Sequence, residues 1–302
     1  MSLLSSRPAA PPRDLPEIWT HRTAERAWRG PLGEANARPT RGRTSPLSDG
    51  PHWIYVLIVL TRHEFRARYR AQALGVVWSL LNPLVMMGLL SLIFTRVLHS
   101  EIPDFPIFLL IGLVVWQWIA TTTNAATQAF VANAELIKHT VFPRQLLPMS
   151  LVLSLTVNFA MEAMLLPLFI PIFPSGFRLT PALLLIPVFI MCLGALLVGI
   201  CLFVSVLNVL YRDLAYLVNT GLLLLYWMTP VIYPLSIVPE PYQLILKCNP
   251  IGGILTALRN AIMLGEVPSA LGWAGMVVPT LLVLAVGWHI FRRYERMVLD
   301  YV

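Results

Sequence analysis

The sequence predicts an all-α membrane protein. Six transmembrane helices carry it, with both termini cytoplasmic, an N-terminal interfacial helix, and outer re-entrant helices between spans five and six. Three observations point there. Hydrophobic residues fill 57% of the 302 positions and charged residues only 12%, about half of the roughly 25% usual in soluble domains. Mean hydropathy is +0.71. Several apolar runs exceed the ~18 residues that a bilayer crossing requires, and the short alternating strands of a membrane β-barrel are not in the pattern.

Residues 1–51 hold eight arginines and five acids among Pro, Ser and Ala. They lack apolar periodicity, so a disordered cytoplasmic tail is expected. No signal-peptide pattern precedes the first apolar run. Residues 52–70, HWIYVLIVLTRHEFRARYR, are apolar first and basic second. The apolar part is too short to span. Arg62, Arg66 and Arg70 fall on one helical stripe beside Phe65 and Tyr69, while Arg68 faces elsewhere. A helix lying along the cytoplasmic surface fits this pattern.

Spans are expected at 73–98, 106–132, 147–172, 181–208, 214–233 and 271–291. The first contains Asn82-Pro83, which should kink it. A cytoplasmic segment, NAELIKHTVFPRQL over 133–146, has helical character and a stop at Pro143. Residues 234–268 are too apolar for an ordinary outer loop and are broken at Asn249-Pro250-Ile251-Gly252-Gly253. They read as two short helices that dip into the membrane, covered by protein or a water-filled cavity.

Orientation follows from the positive-inside rule. With an inner N-terminus, the cytoplasmic flanks hold Arg62, Arg66, Arg68, Arg70, Lys138, Arg144, Arg212, Arg292, Arg293 and Arg296. The outer flanks hold Arg96, Arg178, Lys247 and Arg259, with Glu101, Asp104, Glu240 and Glu266 beside them. The net charge of +7 is therefore a membrane-facing feature. Nucleic acid is not an expected partner.

Three cysteines, Cys192, Cys201 and Cys248, form neither a disulfide framework nor a metal spacing. No GxxxxGK[ST] loop exists, so the chain does not hydrolyse nucleotide through such a loop. His63-Glu64 lacks the second His of a zincin helix, and there is no G-x-S-x-G. An enzyme is not expected, and no metal site is expected.

Four groups of residues remain as candidates. Glu162 is the acid well inside a span, either functional, or set near a cavity, or paired with a polar neighbour such as Asn158 one turn away. Trp78, Trp116, Trp118, Tyr226, Trp227 and Tyr233 either line a path for sugar rings or anchor the chain at the interfaces. The arginines of residues 62–70 set topology and attract anionic lipid. They also match pyrophosphate oxygens in shape and charge. His139 reads as a solvated surface residue.

Five segments together resemble the permease subunit of ABC-2 type exporters, in the branch that exports O-antigen, capsule and teichoic acid. They are RARYRAQALGVVWSLLNPL (66–84), NAELIKHTVFPRQLLP (133–148), NVLYRDLAYLVN (208–219), TPVIYPLSIVP (229–239) and NPIGGILTALRNAI (249–262). The resemblance runs from about residue 53 to residue 296. It implies a homodimer in the cytoplasmic (inner) membrane with two copies of a separate ABC ATPase beneath it, where ATP and Mg would bind. Residues Ala134, Glu135, Leu136, Ile137, Lys138, His139 and Phe142 would form the coupling segment that the ATPase pushes. The substrate would be a polysaccharide on a polyprenyl diphosphate, with Arg66, Arg68 and Arg70 receiving the diphosphate. The aromatic residues of spans one, two and five would line the sugar path. Alternatives are a drug or lipid exporter permease, a membrane-embedded cell-wall enzyme, and a secondary transporter. The enzyme would need catalytic acids or His clusters on one membrane face. The secondary transporter would more often show matching broken repeats.

Overall fold

The computed structural model describes residues 50–69, 75–97, 102–139, 142–169, 171–173, 177–211, 213–247 and 249–298. The tail expected at 1–51, except its last two residues, lies outside them, as do Arg70, Arg212 and Cys248. Regular structure among the described residues is all helical.

Among the described residues twelve α-helices follow in order. They are α1 Gly50–Tyr69, α2 Gly75–Leu92, α3 Phe105–Thr127, α4 Ala129–Ala132, α5 Ala134–His139 and α6 Leu146–Ala163. Then come α7 Leu165–Leu168, α8 Ile186–Leu210, α9 Leu214–Met228, α10 Glu240–Lys247, α11 Pro250–Arg259 and α12 Ala270–Tyr294. A π turn over Ile93–Val97 prolongs α2, and another over Asn260–Leu264 prolongs α11.

Five described stretches are long and apolar enough to cross a bilayer: Val77–Val97, Phe105–Thr127, Leu146–Leu168, Pro181–Leu210 and Ala270–Tyr294. These answer to five of the six expected spans. The remaining one, 214–233, is a helix of only 15 residues. At ~1.5 Å per residue that is about 22 Å, against a ~30 Å hydrocarbon core. Its early end has a local cause. Thr229 precedes Pro230, a position where α geometry is disfavoured, and Thr229 takes extended backbone angles. Pro83, by contrast, sits inside α2 without ending it.

Helix α3 is the hub. It packs against α2, α6, α8, α9 and α11, and Ile107, Leu109, Leu110, Ile111, Trp118 and Ile119 are buried along it. Its apolar residues run almost all round, as a helix enclosed by others requires. The most extensive pairing joins α8 and α12. Glycine makes it possible. A methyl group on Gly199 would lie 2.7 Å from Leu284 Cα, and one on Gly287 would strike the Gly199 backbone. Small residues at such crossings let helix backbones approach closely in lipid.

A second, smaller core contains Phe130, Ile137, Leu147, Leu151, Leu202, Phe291 and Val298. It ties α4 and α5 to the start of α6 and the end of α12. Arg144 Nη1 strengthens the tie by donating to the Glu295 carbonyl at 2.6 Å.

In the segment read as outer, Asn249-Pro250 starts a helix. Asn249 caps α11, accepting from Ile251 N at 3.1 Å, while its Nδ2 donates to Thr229 Oγ1 at 2.9 Å. Pro250 occupies the first turn, where its missing N–H costs nothing. Gly265, with φ of +71°, closes the π turn.

Candidate functional site

The strongest candidate is a groove of about 380 Å³ where α2, α3 and α9 meet. Helix α2 contributes Asn82 and Pro83. Helix α3 contributes Trp116, Gln117 and Asn124. Helix α9 contributes Asn219 and Tyr226. On α3, Trp116, Gln117 and Asn124 fall within about two turns, so one face carries both rings and amides. The Trp116 and Tyr226 rings meet edge to face with centroids 5.3 Å apart. Tyr226 in turn meets Trp227 at 5.5 Å.

This wall offers two kinds of contact. Aromatic faces suit the apolar faces of sugar rings. The amides of Asn82, Gln117, Asn124 and Asn219 can each donate and accept hydrogen bonds, as hydroxyl groups demand. Amides inside apolar helices are costly unless they face protein or water, and here they face a groove.

The six aromatic candidates separate. Trp116 and Tyr226 line the groove. Trp78 is 57% exposed, one turn before Asn82 on the same stripe of α2. Trp227 is also exposed, and its carbonyl accepts from Tyr233 Oη at 2.6 Å. Trp118 is placed differently. It is buried in the core and stacked on Phe159 at 4.5 Å, two residues from Trp116 and so on another face of α3. Three groove residues, Gln117, Asn124 and Asn219, were not singled out from the sequence. Their signal was present, since each is an amide within an apolar run.

Arg62, Arg66 and Arg68 are exposed on the basic half of α1, and Arg70 lies outside the described residues. Helix α1 packs chiefly on α6. Its end is fastened by Tyr69, which donates to Asn158 Oδ1. Asn158 Nδ2 donates to Glu162 Oε1 at 2.7 Å. Glu162 is thus buried and paired with the neighbour one turn away.

The expected coupling segment coincides with α5. Glu135 and Lys138 are exposed, Ile137 is buried, and Leu136 and Phe142 are half-buried. The His139 side chain lies outside what is described. Ala134 opens the helix.

Arg259 was counted from the sequence as an outer-side charge, yet it is 4% exposed. Its Nη1 and Nη2 donate to the carbonyls of Pro230 and Val231, and its Cζ lies 3.7 Å from the Phe108 ring centroid. Gly112 makes the room. A methyl group there would strike the guanidinium and come 2.5 Å from the Val231 oxygen. Arg259 therefore clamps α11 to the end of α9 and to α3. Among the described residues no group of three or more His, Cys, Asp or Glu converges as a metal site would.

The ABC-2 type transporter family profile matches residues 55–263. The chain belongs to that family. Among curated ABC-2 relatives, it is 30% identical over 247 residues to the "O-antigen export system permease protein RfbA" of Klebsiella pneumoniae, covering 80% of this chain and 92% of the relative. It is 32% identical over 218 residues to the protein of that name from Myxococcus xanthus, covering 71% and 83%. It is 26% identical over 245 residues to the "Polysialic acid transport protein KpsM" of Escherichia coli, covering 78% and 92%. The matched span of the ABC-2 profile includes α1 from Tyr55 on, the groove, α5 and the Arg259 clamp.

Proposed function

We propose that this ABC-2 chain is the permease half of an ATP-driven exporter of polyprenyl-diphosphate-linked polysaccharide. The observation that carries the reading is the groove. Rings and amides from three helices converge in a chain whose relatives are named for O-antigen export and polysialic acid transport.

Two copies would place two such grooves face to face, with α2 and α9 toward the partner. Both helices present long apolar faces that this chain leaves uncovered, including Val77, Leu81, Val85, Leu223 and Leu224. The shorter α9 then completes the sixth crossing together with residues 229–233, and α10 and α11 form the outer re-entrant pair. Both termini lie in the cytoplasm. Arg66, Arg68 and Arg70 stand at the inner mouth, where guanidinium forks meet a diphosphate. Glycan then passes along Trp78, Trp116, Tyr226, Trp227 and Tyr233. A separate ATPase supplies the energy, with its ATP and Mg, through Ala134–Phe142. The second core carries that push to α6 and α12.

The test is co-expression with the ATPase encoded beside the gene, followed by export assays. A stable assembly of two chains with two ATPases is expected, with surface polysaccharide lost when either is deleted. A chain that purifies only as a monomer and ignores the ATPase refutes the reading. Export of drugs or phospholipids in place of glycan reassigns the substrate. Changing Arg66, Arg68 and Arg70 together to Gln should abolish export while leaving assembly intact. Unchanged export assigns these residues to topology alone.

A further inference from the structure

Among the described residues, Tyr69 joins the basic helix α1 to α6 through a buried polar pair. Tyr69 stands at the last position of α1, directly after Arg68 and before Arg70. Its phenol donates to Asn158 of α6. Its ring packs on Phe65, with centroids 5.0 Å apart.

Asn158 works from both ends. Its carbonyl oxygen receives Tyr69, and its amide nitrogen holds Glu162 Oε1 at 2.7 Å. Glu162 is 1% exposed, and its other oxygen has no hydrogen-bond partner among the described residues. Asn158 is therefore the partner that orients this carboxyl there. In turn the buried carboxyl holds the Asn158 amide in one of its two flips, which presents the carbonyl to Tyr69. Removing any member leaves a buried polar group unpaired, which is costly in a low-dielectric setting.

We propose that Asn158 is a positioning residue. By bridging Glu162 and Tyr69 it fixes where the arginines of α1 stand relative to the spans. Arginine side chains are long and flexible, so the placement of their helix decides which headgroups they reach. Tyr69 is the hinge pin at the end of that helix, and Glu162 sets its register without meeting substrate. This role rests on the diphosphate reading only for its consequence. The geometry of α1 can be measured without any substrate.

The experiment uses the full chain with its ATPase in lipid nanodiscs. The probe is undecaprenyl diphosphate at graded mole fractions. In a background lacking the three native cysteines, spin labels at Arg62→Cys and Leu153→Cys report the distance between α1 and α6. Asn158→Leu and Tyr69→Phe should each broaden that distance distribution. They should raise the mole fraction giving half-maximal ATPase stimulation by roughly fivefold, about what one buried hydrogen bond is worth. The maximal rate should stay the same. The double exchange Asn158→Asp with Glu162→Gln keeps the bond donated by Tyr69 and reverses the one between positions 158 and 162. The amide now at position 162 donates, and the carboxylate now at position 158 accepts from both sides. This exchange should restore both readouts. Unchanged distances in Asn158→Leu overturn the proposal, as do broadened distances that the exchanged pair fails to narrow. If Asn158→Leu does not assemble, Tyr69→Phe alone decides, because it removes one hydroxyl. Broadened distances with no ATPase response to the probe even in the unaltered complex sustain the positioning role and refute the diphosphate reading.

Discussion

Replacing Gly112 by Ala tests the clamp that holds α11 to α3 and to the end of α9. The added methyl would occupy the place of the Arg259 guanidinium, lying 3.2 Å from its Cζ and 2.5 Å from the Val231 carbonyl oxygen. The carbonyl is backbone and fixed by its neighbours, so the arginine must withdraw. It then gives up the Pro230 and Val231 oxygens and its seat over Phe108. Each carbonyl left unpaired in a buried site costs about 1–3 kcal/mol, and the lost cation–π contact about 1–2 kcal/mol. Helix propensity returns at most ~1 kcal/mol. The net loss is about 2–7 kcal/mol, which lowers Tm by several degrees or more. The assay is thermal unfolding of the purified full chain in detergent, followed by fluorescence-detected size exclusion. Gly88→Ala is the matched control, because nothing lies within 4 Å of a methyl group there. It should be neutral or slightly stabilising. A Gly112→Ala protein as stable as the Gly88→Ala protein would refute the clamp.

Two other substitutions follow from the same geometry. Gly199→Ala should separate α8 from α12, since its methyl would meet Leu284 N at 2.8 Å and the Val283 oxygen at 2.8 Å; a strong loss of folded yield is expected, and wild-type yield and Tm would contradict the close crossing. Asn249→Ala removes both the α11 cap and the bond to Thr229, so it should cost about 1–2 kcal/mol, read as a lower Tm that Asn249→Asp, which keeps the cap, partly restores.

Much of the membrane plan was legible in the chain. Apolar run length marked five helices that can cross, because a bilayer demands a continuous stretch and composition reports it directly. The stretch 249–253 was legible as a break between two short helices, but the break ends at Asn249: its cap and the fixed φ of Pro250 start α11, which runs on through Gly252 and Gly253. The fifth run, 214–233, holds a shorter helix than its hydropathy implies, because α9 stops at Met228, before the Thr229-Pro230 step. The groove was half legible. Trp116 and Tyr226 announced themselves as aromatic residues, whereas the amides of Gln117 and Asn124 on α3 and of Asn219 on α9 share one wall only through packing.

Sequence by itself determined that this is a multi-pass helical membrane protein of the ABC-2 type, with its basic residues concentrated beside the spans. Those properties are sums over local composition and motif order, and they need no partner to be read. Tertiary structure decided which polar residues share a wall, that Trp116 faces the groove while Trp118 faces the core, and that Arg259 is a buried clamp. It also decided that Glu162 reaches Tyr69 through Asn158. Each of these depends on the rotation of one helix against another. That rotation is set by close packing and by glycine contacts such as Gly199 with Gly287, distances that no single stretch of sequence contains.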